Sequence, residues 1–460
     1  MRFRGQAGWA LLLLAVIVAG GAYLQRAVGP KTSAAASSDA APSGAWFCPH
    51  GGGPEWAVTL ELANPGTAPV QVRVTGLSGH RPSTPQSFTV AAGAELLVHE
   101  AAEERDSASF IEYFGGWVAA GWVIHAGAGE KGVAAEPCLP QASERWFLPD
   151  GQTTERQDAY VVIMNPFATD AIFTLTLYTQ KRVPITAGAW TNVVLAPRRS
   201  RAFRLNATAL GEGAVSTLVD VKVGRVAAAS LGLAELGGIR SSIGVAGSPP
   251  QRTILPAGFA QGASTLVVMN TGDARPELQA TLFSKEASQP LGSLVQNAPN
   301  AGSAQPYPLT LEGPSAIDVR STPGTVVALR TLGVSADQGS TAGASTPESA
   351  WVVLPSIAGT PAHPGLILAN PGDVAAVVKL MLLPSAPGTV PQSVTVTVPP
   401  SRAVAGPKLF VMAKPFAAIL VTAESGTLVP AAASYSLGQD GMATYAVSLG
   451  VPIPDAWIPS

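Results

Sequence analysis

Apolar and polar residues alternate with a period of two on both sides of a recurring asparagine. Val58, Leu60 and Leu62 alternate with other residues before Asn64, and Val70, Val72 and Val74 do so after it. That period is the mark of a β-strand with one buried face. The outline returns at residues 160–164 and 172–177 around Asn165, at 266–269 and 278–282 around Asn270, and at 366–368 and 377–382 around Asn370. Each such pair is expected to form a hairpin. Proline follows Asn64, Asn165 and Asn370; it presets φ to about −65° in a turn, while the Asn side chain can bond the backbone two residues on. Thr271-Gly272 replaces it in the third copy.

The four asparagines are 101, 105 and 100 residues apart. A second marker keeps the same beat, an apolar segment closed by proline at residues 46–49, 146–149, 254–256, 351–355 and 457–459. Five posts bracket four units, which is the signature of a modular array. Within each unit the second half adds further short strands and Pro/Gly/Ser turns, as at residues 193–205 and 215–231. Seven or so strands in about 100 residues is the profile of an antiparallel sandwich. The expected fold is therefore all-β: a tandem array of four Ig-like antiparallel β-sandwich modules, over residues 46–145, 146–252, 253–350 and 351–460, after an N-terminal transmembrane helix. Halving the period would give blades of about 50 residues and a β-propeller. Asn-Pro occurs only in the first half of a unit, however, so the halves are not equivalent.

Ahead of the modules, residues 7–24 carry no charge and follow Arg2 and Arg4. As a helix they would span roughly 27 Å, close to the hydrocarbon thickness of a bilayer. Residues 1–31 are expected to be a signal-anchor segment, with cleavage near 19–22 and secretion as the alternative. Either outcome places the rest outside the cytoplasm. Residues 32–45, rich in Ser, Ala and Pro and without a large apolar residue, read as a flexible linker.

Composition narrows the function by exclusion. Of 28 basic and 30 acidic residues, Arg2, Arg4, Arg26 and Lys31 fall in or beside the N-terminal segment, leaving 24 against 30, or −6, for the remainder. No basic stripe speaks for nucleic acid. The two cysteines, Cys48 and Cys138, both fall in the first module without zinc-like spacing. A disulfide between them suits an oxidising compartment.

Candidate chemistry is sparse. No nucleophile elbow, phosphate loop or HExxH pattern is present, and neither a cofactor nor a metal site is expected. His50 and His80 fall in Gly/Pro-rich stretches that read as exposed loops, and His99, His125 and His363 stand singly. Trp56, Trp117 and Trp122 make the first module aromatic-rich; exposed on one face they would form a platform for a sugar ring, and buried they would fill the core.

With the repeat laid out, the chain resembles an actinobacterial family of membrane-anchored secreted proteins of unknown function. The likeness lies in the N-terminal anchor, Trp46-Phe47-Cys48-Pro49, the strand entering Asn64-Pro65-Gly66, and the strand-Asn-Pro units that follow. It also resembles, more loosely, bacterial surface repeats with a Trp-to-Pro opening and a Leu-x-x-Asn-Pro strand. The resemblance implies an envelope-associated role and offers no catalytic residues; the third copy departs from it in lacking the Trp and the Pro. The expected function is that of a non-enzymatic, membrane-anchored extracytoplasmic protein that scaffolds or binds an envelope glycan or an exported protein. Two alternatives stand beside it: a hydrolase with a site in the first module using His80, His99 or His125, and a purely structural spacer.

Overall fold

The structure is a computed structural model and describes residues 43–181, 183–235, 238–332, 337–354, 362–384, 392–407, 418–437 and 443–459. The expected membrane segment, residues 7–24, and most of the linker lie outside them. Among the described residues no helix is long and apolar enough to cross a membrane.

The described chain is all-β, with strands gathered into seven antiparallel sheets. The first module contains β1 (Gly44–Cys48), β2 (Ala57–Asn64), β3 (Val70–Leu77), β4 (Gln86–Val90), β5 (Ala94–Ala101), β6 (Ala108–Phe114), β7 (Ala119–His125) and β8 (Val133–Pro137). Its two sheets run β1-β6-β3-β4 and β5-β2-β7-β8. The period-two alternation places Leu60, Leu62 and Trp122 of one sheet against Trp46, Val72 and Ile111 of the other in a shared core. The second and fourth modules keep this plan and add a two-residue edge strand, Val245–Ala246 and Val451–Pro452 respectively.

One expectation fails in an instructive way: the strands flanking each asparagine are not hairpins. β2 pairs with β5 and β7, whereas β3 pairs with β4 and β6. The Asn-Pro turn is thus a corner that carries the chain from one sheet to the other. Alternation on both sides of a short turn looks the same for either connection.

The third module is built from one six-stranded sheet. Its strands Arg252–Asn270 and Ser303–Ser321 are each 19 residues long and pair along their length. A register shift between Pro256 and Gly258 bends the pair, so that Leu255 and Ile317 from one half meet Leu266 and Val268 from the other in a single core. At the bend Gly258 has φ +68°, and a Cβ there would lie 2.3 Å from the Tyr445 hydroxyl, so only glycine fits.

The four modules close into a ring. Val133–Pro137 of the first adjoins Gly238–Ile243 of the second and Ala443–Leu449 of the fourth, and Gln338–Thr341 of the third adjoins those same two strands. One seam bond recurs: the Ser200 amide of the second module donates to the Ser78 carbonyl of the first, Ala403 of the fourth donates to Ser284 of the third, and Glu95 of the first donates to Pro384 of the fourth. The first module therefore docks on the fourth as the second docks on the first. The opening strands supply the apolar part of the seams: Phe47 packs with the second module, Phe147 with the third, Ile254 with the fourth and Val352 with the first.

Candidate functional site

The four corner asparagines are built alike. Asn64 Oδ1 accepts from the Gly66 amide at 2.9 Å, and its Nδ2 donates to the Ala68 and Val90 carbonyls at 2.8 and 3.2 Å. Asn165, Asn270 and Asn370 make the equivalent bonds. All four are buried. Their side chains stand in for backbone partners where the chain turns out of its strand, toward the other sheet in the first, second and fourth modules and within the single sheet of the third, which is a structural role.

Cys48 and Cys138 are disulfide-bonded, as expected. The bond ties β1 to the segment that leaves the first module and sits in that module's core.

The tryptophan platform is not there. Trp56, Trp117 and Trp122 are 1%, 5% and 0% exposed. Trp117 meets Trp46 edge-on at 6.2 Å, and the Arg105 guanidinium covers Trp56 at 4.8 Å from the ring centroid. Alternation aims Trp122 inward with Leu60, so all three fill the module instead of presenting a face.

The histidines do not converge on one centre. His50 is buried, contrary to the loop reading: its Nδ1 bonds the Gly51 carbonyl at 2.6 Å and its Nε2 the Ser109 hydroxyl at 3.0 Å, and burial pushes it down to about 4. His80 is exposed near Glu104 at 3.4 Å. His99 bonds Thr59 at 2.9 Å. His125, two strands from His99 in the same sheet, is pushed down to about 4 by burial and then by His99. The His363 side chain lies outside the described residues. Among the described residues no hydrogen bond joins the His50 or His99 ring to a carboxylate, the element a hydroxyl–imidazole nucleophile would need for orientation.

What the sequence left unnoticed is a set of buried ionisable groups around the ring's centre. Asp337 accepts from the Gln338 and Tyr445 amides at 2.9 and 2.7 Å and also from Val133. Its Oδ1 fills the space a Cβ of Gly238 would take, 2.0 Å away. One carboxyl thus touches all four modules; burial pushes it well up, against the pull of those amides. Asp150 lies between Arg240 and Arg330, with Oδ2 3.0 Å from Arg240 Nε and Oδ1 3.0 Å from Arg330 Nε. Arg240 reaches across to Gln338 at 2.7 Å, and Arg330 back to Gln152 at 2.6 Å. Burial alone would raise Asp150, but Arg330 and then Arg240 outweigh it and hold the carboxyl well below its ordinary range. Burial and Arg330 lower Arg240 to about 10.

Among the described residues, concavities open at two of the seams. A cleft of about 500 Å³ between the first and second modules has ion pairs in its walls, Arg204 with Asp158 at 2.8 Å and Arg156 with Glu235 at 3.7 Å. A groove of about 570 Å³ lies where the described chain begins and ends, between the first and fourth modules. Tyr113, Trp117 and Pro140 of the first module and Pro452 and Pro454 of the fourth are among its lining residues. Its charged lining residues are Glu348 and Asp455, both acidic.

No curated protein matches the chain. Among solved structures, a crystal structure of a tetra-tandem repeat in the extending region of a large adhesion protein is 12% identical and covers 85% of this chain and 93% of that one, with a TM-score of 0.11. Residues 112–331, from β6 of the first module into the third, match a family of unknown function, DUF5719.

Proposed function

We propose that the chain is a non-enzymatic, extracytoplasmic ring scaffold, anchored to the membrane by residues 7–24, that holds an extended basic segment of an exported protein in the groove between its first and fourth modules. The observation behind this reading is the groove's chemistry. Pyrrolidine rings and aromatic edges suit an extended, polyproline-like backbone, and Glu348 and Asp455 give the lining a single sign of charge. A sugar would want an aromatic face to stack on, and Trp46 and Trp117 offer little more than edges, being 4% and 5% exposed. The disulfide beside the groove, with Cys138 in its wall, favours an oxidising location.

Binding of fluorescent Pro-rich peptides to the full-length protein tests this. A Lys/Arg-bearing peptide should bind, its Glu-bearing counterpart should not, and Glu348→Lys with Asp455→Lys should weaken the first by about tenfold or more. Equal binding of both peptides, or preference for an envelope oligosaccharide, would rule the reading out.

A further inference from the structure

Three residues before each corner asparagine the chain carries Glu61, Val162, Val267 and Ile367. The neighbours on either side, such as Leu60 and Leu62, face their own core, so these four face the preceding module. Val162 joins the first module's cluster, Val267 packs with Phe147 and Tyr178, and Ile367 groups with Ala433 and Val447, which cover Gly258 of the third module. The cross-strand position opposite the residue before the asparagine is Glu95, Ser200, Ala304 and Ala403 in turn. Three seams thus place an apolar residue beside a small one. The seam that closes the ring places two carboxyls there.

Glu61 and Glu95 are 1% and 4% exposed, and none of their four oxygens has a hydrogen-bond partner of good geometry. They are diagonal neighbours on adjacent strands, since Glu61 pairs with Leu97 and Glu95 with Ala63. From the other side Glu61 pairs with Gly121, whose Cα is covered by Leu354 of the fourth module. The facing sheet brings Ala418, Leu420, Leu383 and Met381. Its charged groups on that side, Lys379 and Glu424, are exposed further along their strands. On the pair's own sheet the titratable groups on this face are His99 on β5 and His125 on β7. No cation among the described residues meets the pair. An apolar seam also lacks the six or more oxygens that a hard metal ion would want.

We infer that Glu61 and Glu95 form a proton-dependent latch on the ring-closing seam, which stays shut while the pair is protonated and loosens when both carboxyls ionise. Two carboxylates in one desolvated site cannot both be charged cheaply. Burial pushes Glu61 up to about 8, and burial together with Glu61 pushes Glu95 well above its ordinary range, although the Ala418 amide opposes this. The protonated, uncharged carboxyls occupy the position that Val162, Val267 and Ile367 fill with apolar contact elsewhere.

Hydrogen exchange of the full-length chain from about pH 5 to about pH 9, corrected for intrinsic rates, tests the latch. Protection of the Glu95 amide and of Ala376–Leu383 should fall about tenfold or more across that range, while Gln157–Asn165 in the second module's seam keeps its protection. Glu61→Gln with Glu95→Gln should flatten the profile, and Glu95→Ala, which copies Ala304 and Ala403, serves if the double variant folds poorly. A flat wild-type profile would overturn the proposal. So would protection at high pH that depends on added Ca²⁺ or Mg²⁺ and is lost with chelator, since the pair would then be holding a metal ion.

Discussion

Between the second and third modules the buried carboxylate Asp150 lies against two guanidinium groups, whereas between the fourth and first the buried carboxyls of Glu61 and Glu95 lie against apolar groups and each other. The first arrangement is held together by charge and the second by protons. In each case removing a carboxyl from water carries a cost that something else must offset, and the nature of that something fixes the pH at which the seam fails. The ring therefore has an acid-sensitive side and an alkali-sensitive side. The two remaining seams carry Val162 and Ile367 at the position of Glu61.

The largest effect should come from Asp150→Ala. It leaves Arg240 and Arg330 facing each other without their counter-charge, and losing one partner of a buried pair costs about 3–5 kcal/mol. Denaturant unfolding should show that loss at neutral pH. The sign with pH follows from the lowered carboxyl: the folded value lies below the ordinary 3.8, so the contribution is complete above about 3.8 and is lost as pH falls through the folded value. A wild-type protein that kept this seam intact in strong acid would break the comparison.

Reduction of Cys48–Cys138 should come next. The bond closes a loop with a sequence separation of 90, worth on the order of 4 kcal/mol in the chain-entropy model. Because Cys138 also lines the groove beside the ring-closing seam, reduction should lower the melting temperature and open this seam before that of Asp150. Calorimetry with and without reductant measures the first, and hydrogen exchange the second.

The corner asparagines provide a control common to both seams. Asn165→Ala and Asn370→Ala each remove the same bonds to an amide and to carbonyls, and each should cost roughly 2–3 kcal/mol. Equal costs, read from denaturant midpoints, would show that differences between seams arise from seam chemistry and not from the modules themselves. A much smaller cost at one of them would mean that its sheet-to-sheet corner is held by something else.

The asparagine turns and the disulfide could be read from the chain, from an Asn before a turn and two cysteines in one module, but the turns were read as hairpins because alternation does not say which sheet the next strand joins. Trp56, Trp117 and Trp122 were ambiguous, since alternation says that one face is buried without saying which residues in a Gly-rich module lie on it. Ring closure was harder. It depends on the outer faces of the strands, and an outer face looks polar or apolar in sequence without naming what covers it. A trace was present at the position three before each asparagine, where Val162, Val267 and Ile367 make both faces of the strand apolar, the mark of a strand covered on both sides. Against that register Glu61 is the exception, whereas within its own strand it looks like an ordinary polar residue in an alternating run. The Asp150 cluster left no comparable trace, because Asp150 and Arg330 are 180 residues apart.

The smallest effect sharpens the comparison most. Glu61→Val gives the ring-closing seam the residue that Val162 and Val267 supply in two others. Burial raises the Glu61 carboxyl from an ordinary 4.5 to about 8, so between those values the folded protein keeps a proton that the unfolded chain releases. Stability should then fall as pH rises across that window, with no penalty below about 4.5 and the full penalty above about 8. The valine variant loses the Glu61 share of that slope and keeps that of Glu95, which burial raises on its own. It should match wild type near the acid end and exceed it by about 2 kcal/mol at mildly alkaline pH, within the range seen when buried charges give way to well-packed apolar groups. Glu95, Glu136 and Asp337, also buried and raised, would keep their own share of the pH dependence, so the test is the difference between the two unfolding curves as a function of pH. A constant offset between them would mean that the valine only fills space, and that the proton at this seam does nothing the other seams do not already achieve by packing.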